Sequence, residues 1–128
     1  NPPYFSNSLK SPSIRKNNTR HNENMSHEEL VSIVSHLLTE DGTFTLILPA
    51  GSVKEFLNIC KKHGLYLKRC MIVYPKPASF PRRNMLEFTR REVPWVDESE
   101  LTILDAFGNF SLEYLALTSS FHNFKSTL

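Results

Sequence analysis

Residues 43–74 read TFTLILPAGSVKEFLNICKKHGLYLKRCMIVY, and this stretch decides the fold class. It opens with a short apolar run that Pro49 ends, which predicts a buried strand. Ser52 and Glu55 form the pattern of a capping box, which predicts a helix with Gly64 just past its carboxyl end. A second apolar run follows and predicts another strand. A strand, a helix and a strand in succession predict an α/β protein with a mostly parallel sheet covered by helices.

Further elements are expected on both sides of this unit. Ser26 and Glu29 form another capping-box pattern and predict a helix before the first strand. Residues 85–89 predict a strand close enough to its predecessor to pair antiparallel with it through a proline-rich loop. Residues 101–104 predict a short edge strand, and Ser111 predicts the cap of a last helix. The apolar positions assigned to the first helix are Leu30, Val31, Ile33, Val34, Leu37 and Leu38, and those assigned to the last are Leu112, Leu115, Ala116 and Phe121.

Length and composition narrow the class of protein. The chain has 128 residues, of which 40% are hydrophobic and 22% are charged, as is typical of one soluble globular domain. No apolar run approaches the ~20 residues of a membrane span. Cys60 and Cys70 lack the spacing of a zinc site and indicate a reducing cytoplasm, with Cys60 expected in the core. Because the chain begins without Met and inside a motif, we expect it to be a piece of a longer protein.

Charge is strongly segregated along the chain. Residues 54–91 hold ten Lys and Arg against two acids, whereas residues 92–113 hold six acids and no Lys or Arg. Such segregation fits a phosphate-rich partner, and it also fits a solvated basic face. Charge alone does not separate the two interpretations.

The first four residues carry the chemistry. The side-chain oxygen of Asn1 and the backbone oxygen of Pro2 can accept the hydrogens of an exocyclic amine. Pro2 and Pro3 have a fixed φ and stiffen the turn, while Tyr4 can stack on a planar base. Phe5 follows as a further candidate contact to the substrate. This is the asparagine-proline-proline-aromatic signature of amino-group methyltransferases that use S-adenosylmethionine.

Other catalytic patterns are missing from the sequence. There is no glycine-rich dinucleotide loop, no metal-ligand spacing and no nucleophile elbow, and the histidines are expected to be solvated, with His27 and His36 on a polar helix flank. Methyl transfer does not require these groups, because the sulfonium donor is already activated. Alignment of the amine with the donor can supply ~7–11 kcal/mol. Residues 6–25 are polar and without hydrophobic period, which predicts either a mobile substrate-gripping loop that orders on binding or flexible filler.

The order of these features carries a family resemblance. The Asn1–Phe5 motif precedes a basic loop containing Arg15 and the sequence TRHN at residues 19–22. A capped helix, the strand ending LILP at residues 46–49, and the sequence PRRNMLEF at residues 81–88 follow. Together they resemble the C-terminal half of the bacterial tRNA adenine N6-methyltransferases, which modify the adenine next to the anticodon of a valine tRNA. Thr and Asn flank the Arg-His pair where Ala and Glu are expected, which departs from the family pattern.

The resemblance implies a fold, a donor and a partner. The fold would be the C-terminal half of a Rossmann-like class I methyltransferase, a mixed sheet with an antiparallel terminal strand. S-adenosylmethionine would be the donor, although its glycine-rich loop would lie before Asn1, and tRNA would be the acceptor. Arg20 and His21 would help to seat the substrate. Arg82 and Arg83 would touch tRNA phosphates.

Alternatives remain open from the residues alone. The same motif serves DNA amino-group methylation and glutamine N5-methylation of release factors, and a non-catalytic RNA-binding module could keep the scaffold. The basic segment disfavours the release-factor substrate. We also expect residues 43–48 to expose a sheet edge, which the missing half or self-association would cover, and we expect this chain alone to bind little S-adenosylmethionine.

Overall fold

The structure is a computed structural model that describes residues 25–121. Within that range the chain forms three α-helices, four β-strands and a short 3-10 turn at Ala50–Ser52. The helices are α1 (His27–Leu37), α2 (Val53–Lys62) and α3 (Leu112–Thr118). The strands are β1 (Phe44–Pro49), β2 (Tyr66–Tyr74), β3 (Arg83–Thr89) and β4 (Asp97–Thr102).

The four strands form one mixed sheet in the order β1-β3-β2-β4. Strand β3 lies between β1 and β2 and is antiparallel to both, and β4 is parallel to β2. The predicted antiparallel pairing of residues 85–89 with the preceding strand is therefore confirmed. The prediction of a mostly parallel sheet is wrong for the described strands. The loop between β2 and β3 turns the chain back, so that β3 lies between β1 and β2 and two of the three strand pairings are antiparallel.

One face of the sheet carries the core. Leu48 of β1 and Phe88 of β3 are fully buried against Phe56 and Cys60 of α2 and Val31 of α1. The ring centroids of Phe56 and Phe88 lie 5.8 Å apart in an edge-to-face arrangement, which suits the aromatic quadrupole. The prediction that Cys60 is a core residue is confirmed.

Helix α1 begins as predicted, and four of its six predicted apolar residues face the core: Leu30, Val31, Val34 and Leu38. The Ser26 hydroxyl accepts from the Glu29 amide at 3.1 Å, and the Glu29 carboxylate accepts from the Ser26 amide at 2.8 Å. Val31 is fully buried, whereas Leu37 is 77% exposed, so the predicted stripe was wrong at Leu37. His27 is buried edge-on against Phe56 and does not lie on a polar flank as expected. The apolar stripe in the sequence of α1 is broader than the face that meets the core, so Ile33 and Leu37 at its margins stay exposed.

Helix α2 lacks the predicted capping box. Ser52 has helical backbone angles, with φ −95° and ψ −9°, and its side chain makes no capping hydrogen bond. The reason is the 3-10 turn at Ala50–Ser52, which carries the chain directly into the helix. At the other end Gly64 has a φ of +71°, as its predicted place past the helix end requires.

The C-terminal elements differ most from expectation. Strand β4 begins at Asp97, four residues before the predicted start. Its first residues are acidic and exposed, so no hydrophobic period marked them, and the strand is held by backbone pairing with β2. The Ser111 hydroxyl accepts from the Tyr114 amide at 3.1 Å, which confirms the predicted cap of α3. Leu112 and Phe121, both assigned to the apolar face of that helix, are each 84% exposed.

An arginine closes the carboxyl end of α1. Arg90, just past β3, donates through Nε to the Leu38 carbonyl at 3.0 Å and through Nη2 to the carbonyls of Leu38 and Ser35. These carbonyls belong to the last turn of the helix, where backbone acceptors lack partners. Its neighbour Arg91 makes an exposed ion pair with Asp41 at 3.0 Å.

We expect the loss of Arg90 and the loss of Arg91 to lower the free energy of unfolding by different amounts. We expect Arg90→Ala to lower the free energy of unfolding by ~1.5–3 kcal/mol, because charge-assisted bonds to part-buried carbonyls are lost. Arg91→Ala is the matched control and is expected to cost ~0–1 kcal/mol, as exposed ion pairs do. Urea unfolding of both variants measures the difference. Equal losses in the two variants would show that Arg90 does not hold the end of α1.

Candidate nucleic-acid interface at the carboxyl edge of the sheet

Three strands end at the same edge of the sheet, which we call the carboxyl edge. Strands β1, β2 and β4 run in the same direction and finish there, and the antiparallel β3 begins there at Arg83. In the register, Arg83 is paired with Pro49 on one side and with Val73 on the other. Ligands of open α/β sheets bind outside the carboxyl ends of the strands. The carboxyl edge is therefore the natural position for a site.

Arg82 and Arg83, which the family resemblance assigned to tRNA phosphates, both lie at this edge with exposed side chains. The Arg82 amide donates to the Val73 carbonyl at 2.9 Å, and its carbonyl accepts from the Ala50 amide at 3.1 Å. The same carbonyl accepts from Nη1 of Arg83 at 3.2 Å. The backbone of this pair is thus fixed between β1 and β2, and within residues 25–121 neither guanidinium forms an ion pair with an acid.

Some bases of the segment 54–91 bind other groups of the fold, and others do not. Lys68 lies 3.3 Å from Glu87, and Arg69 lies 3.7 Å from Glu87 and 3.3 Å from Asp97. Arg90 and Arg91 are committed to α1 and to Asp41. Among the described residues of this segment, the bases that neither pair with an acid nor bind the end of a helix are Lys54, Lys61, Lys62, Lys76, Arg82 and Arg83.

Four of those six bases follow the carboxyl ends of strands. Lys54 lies in the first turn of α2, directly after β1, and Lys76 follows β2. Arg82 and Arg83 open β3 beside them. Lys61 and Lys62 lie at the far end of α2, towards the start of β2. A cation in the first turn of a helix opposes the helix dipole, so Lys54 does not serve the helix and instead adds positive potential to the carboxyl edge.

Tyr74 closes the end of β2. Its hydroxyl donates to Oε1 of Glu100 on β4 at 3.3 Å. Desolvation raises the pKa of Tyr74, and the charge of Glu100 and this hydrogen bond raise it further. The phenol stays protonated at neutral pH and links the parallel strands β2 and β4 just inside the edge.

Within residues 25–121 no element covers the sheet face opposite α1 and α2. This face forms a depression of about 570 Å³, in which Ile47 and Met85 are 50% and 43% exposed. The ion pairs of Arg69 with Glu87 and Asp97 border these apolar side chains. A half-exposed apolar sheet face is typical of a layer that packs against another one. The depression does not include Arg82 or Arg83, so it is separate from the carboxyl edge.

Most of the predicted site residues lie outside the described part of the chain. These are the catalytic candidates Asn1, Pro2, Pro3 and Tyr4 and the substrate-binding candidates Phe5, Arg20 and His21. The substrate-gripping loop predicted at residues 6–25 also lies there, apart from Met25. Of the predicted site, the structure therefore describes Arg82 and Arg83.

Residues 25–121 offer little support for metal binding, membrane spanning or a cysteine nucleophile. No group of three or more His, Cys, Asp or Glu side chains in that range could hold a metal ion. No helix in the same range is long and apolar enough to cross a membrane. Burial raises the pKa of the Cys60 thiol to about 12, so this cysteine does not supply a thiolate nucleophile at neutral pH.

The structure of a predicted O-methyltransferase from Agrobacterium tumefaciens resembles this chain in fold. The two superpose with a TM-score of 0.55 at 18% identity, over 67% of this chain and 42% of the other. The described elements thus form part of an α/β domain of the methyltransferase type, and the predicted fold class is confirmed.

Similar sequences indicate a narrower class of protein than the similar structure does. Over 122 residues, 95% of this chain, it is 41% identical to the tRNA1(Val) (adenine(37)-N6)-methyltransferase of Bacteroides fragilis strain YCH46. It is 35% and 33% identical to the enzymes of the same name from Pseudoalteromonas translucida and Bacteroides thetaiotaomicron. No family model matches the chain. The resemblance to tRNA adenine N6-methyltransferases is confirmed, and the chain spans about half the length of these curated relatives, 51% of the first.

The raised pKa of Cys60 predicts a pH dependence of stability. The native thiol keeps its proton up to a pH of about 12, whereas an unfolded cysteine loses it above ~8.5. Stability from this group is therefore complete below the unfolded pKa and falls as the pH rises from there towards the native pKa, by at most about tenfold in the unfolding equilibrium per pH unit.

Urea unfolding at pH 7.5 and pH 10 checks this expectation. The loss of stability between the two pH values should be larger in the native sequence than in Cys60→Ala, whose side chain does not titrate. Equal losses would mean that the thiol is not desolvated in the folded chain.

Proposed function

We propose that the whole protein transfers a methyl group from S-adenosylmethionine to N6 of a tRNA adenine next to the anticodon. This chain would supply the amine-binding motif and part of the tRNA-binding surface. The observation that carries the proposal is the 41% identity over 95% of the chain to an enzyme named for that reaction. The names of the relatives favour tRNA over the DNA and release-factor substrates that the motif alone leaves open.

The amine-binding role falls to the first residues of the chain. The Asn1 side-chain oxygen and the Pro2 carbonyl would each accept a hydrogen from the adenine amine. These contacts would keep the nitrogen lone pair aimed at the donor and would stabilise the positive charge that grows on nitrogen. Pro3 would hold the turn, and Tyr4 would stack on the flipped base. Phe5, Arg20 and His21 would seat the nucleotide beside this motif.

The described residues do not build a site for S-adenosylmethionine. Their four glycines, Gly42, Gly51, Gly64 and Gly108, are isolated in the sequence and form no glycine-rich loop after a strand. When bound, the donor supplies an activated methyl group. Its binding site would then belong to the remainder of the protein, and this chain alone would bind it incompletely.

The tRNA-binding role rests on charge. Arg82 and Arg83 would contact phosphates, supported by Lys54 and Lys76 at the same edge, because none of the four is neutralised within the described residues. The acidic segment 92–113 would keep the RNA backbone away from the β4 side of the sheet. Reaction on tRNA would place the protein in the cytoplasm.

The open sheet face would be covered in the whole protein. Strand β1 lies at an edge of the described sheet, and its residue Ile47 is half exposed. The half that the relatives have in addition, or a second copy of this chain, would bury that edge and face. Either cover would remove unpaired strand edge from solvent.

The first test reconstitutes the enzyme. The chain is joined to the half that it lacks relative to its relatives, and methyl transfer from labelled S-adenosylmethionine is measured on unmodified tRNA, DNA and release factor in parallel. We expect transfer to tRNA. Asn1→Ala should lower the rate of transfer to tRNA about 10²- to 10³-fold, the cost of removing one preorganised polar contact to the reacting group. Binding of tRNA should be unchanged.

Asn58→Ala is the matched control, since Asn58 is an exposed asparagine on α2. It should leave the rate unchanged. Transfer that proceeds undiminished in Asn1→Ala would refute the assigned role, and transfer to DNA or release factor in preference to tRNA would refute the substrate.

A second test compares two pairs of unpaired bases. Binding of tRNA is measured at several salt concentrations for Arg82→Ala with Arg83→Ala, and for Lys61→Ala with Lys62→Ala at the far end of α2. Each lost phosphate contact lowers the slope of log affinity against log salt by roughly 0.7–0.9. We expect the arginine pair to lower it by roughly one to two units and the lysine pair to leave it unchanged. Equal slopes for both variants would place the tRNA elsewhere.

A further inference from the structure

Phe80 is exposed without a structural reason. It lies in residues 75–82, the connection from β2 to β3 that we call the Phe80 loop, and 90% of its surface is accessible. A single exposed apolar side chain needs no explanation by itself, so its loop and its neighbours decide whether it can bind a ligand. Within residues 25–121 the ring of Phe80 is not part of the hydrophobic core.

The Phe80 loop is held in one conformation. The Ser79 hydroxyl donates to the Lys76 carbonyl at 2.6 Å and accepts from the Lys76 amide at 3.4 Å. At its two ends the Pro75 carbonyl accepts from Leu104 at 3.1 Å and the Arg82 amide donates to Val73 at 2.9 Å. The loop also contains three prolines, whose φ is fixed: Pro75, Pro77 and Pro81. Phe80 is therefore presented on a stiff support, and a ligand would lose little affinity in ordering it.

The surroundings of Phe80 are cationic. Lys76 belongs to the same loop, and Arg82 and Arg83 follow Phe80 almost directly in the chain. No acid within the described residues pairs with these three side chains. An aromatic face beside guanidinium and ammonium groups is the composition that binds unpaired bases together with their phosphates.

Phe107 provides an internal comparison. It is also 90% exposed, but it lies in a turn built on the Asp105 carboxylate, which accepts from the Phe107 amide at 2.8 Å and from the Asn109 amide at 2.9 Å. The surrounding residues 92–113 contain six acids and no Lys or Arg. The two phenylalanines are equal in type and exposure and differ in the charge around them.

We propose that Phe80 stacks on an unpaired base of the anticodon loop, while Lys76, Arg82 and Arg83 bind the adjacent phosphates. This deepens the proposed function and rests on it for the identity of the RNA. The contact is a second hold on the RNA, separate from the adenine-binding motif at the first residues. It would favour looped RNA over duplex RNA, since a paired base does not offer its face.

The test measures affinity of the 128-residue chain for two RNAs. One is a hairpin that carries the valine anticodon loop, and the other is a blunt RNA duplex with the same number of phosphates. Phe80→Ala should weaken hairpin binding by about 5- to 150-fold, the range for loss of one base stack. Phe80→Leu, which keeps apolar bulk without a π face, should weaken it similarly, and Phe80→Trp should restore it. Duplex binding should stay unchanged in all three.

Phe107→Ala is the matched control and should bind both RNAs like the native sequence. Hairpin affinity unaffected by Phe80→Ala, an equal loss for the duplex, an equal loss in Phe107→Ala, or full affinity in Phe80→Leu would each overturn the stacking contact. No measurable hairpin binding by the native chain would overturn it too.

The methyl-transfer assay separates this inference from the proposed function. A hairpin-selective loss in Phe80→Ala together with no methylation of tRNA would sustain the stacking contact and reject the enzyme. Methylation of tRNA with an unchanged hairpin affinity would do the reverse.

Discussion

The insertion of β3 between β1 and β2 is the constraint on which the rest of the structure depends. Leu86 and Phe88 on one side of this strand complete the core with Phe56 and Leu48. Its amino end carries Arg83 to the carboxyl ends of both neighbours. The hydrogen bonds of the Arg82 backbone to Val73 and Ala50 lock that junction. The same strand therefore does two things. Its alternate side chains fill the core, and its first residue places a cation at the carboxyl edge.

Charge in this chain is divided by strand direction. Bases within strand β2 form ion pairs, as Arg69 does with Glu87 and Asp97. Bases at the carboxyl edge form none within residues 25–121. A parallel strand always delivers its following loop to the same edge, so a basic segment read along the sequence becomes a basic edge in space. The acidic segment forms β4 and the turn after it, beyond β2, which gives the edge an abrupt change of sign.

Most features that depend on neighbouring residues were predicted from the sequence; the capping box of Ser52 and Glu55 is the exception, because a 3-10 turn leads into that helix. The Ser26 capping box, the Ser111 cap and the left-handed Gly64 depend on neighbouring residues and could be read directly. The fold class and the antiparallel return of β3 followed from element order and a short loop. How wide the buried face of α1 is, and whether β1 and β2 touch, depend on long-range packing that no periodicity encodes. The prediction of β4 missed its first four residues, because their side chains are polar and exposed and the strand is held there by its pairing with β2.

The candidate site was only partly readable. Arg82 and Arg83 came from a family resemblance, and the structure adds why they stay unpaired. Phe80 was missed because an apolar residue between prolines looks like any loop residue until its exposure is known. Its signal in the sequence was the adjoining Pro81-Arg82-Arg83, an aromatic residue next to a stiffened basic run. The open face of the sheet likewise becomes visible only from the strand register.

The most direct test of the account is to map where RNA touches this chain. Amide shifts of the isotope-labelled chain are followed while the anticodon hairpin is added. If the carboxyl edge binds RNA, the shift changes concentrate at residues 49–54 and 74–83. Changes concentrated instead around Lys61, Lys62 and Trp95, at the opposite edge of the sheet, would contradict it.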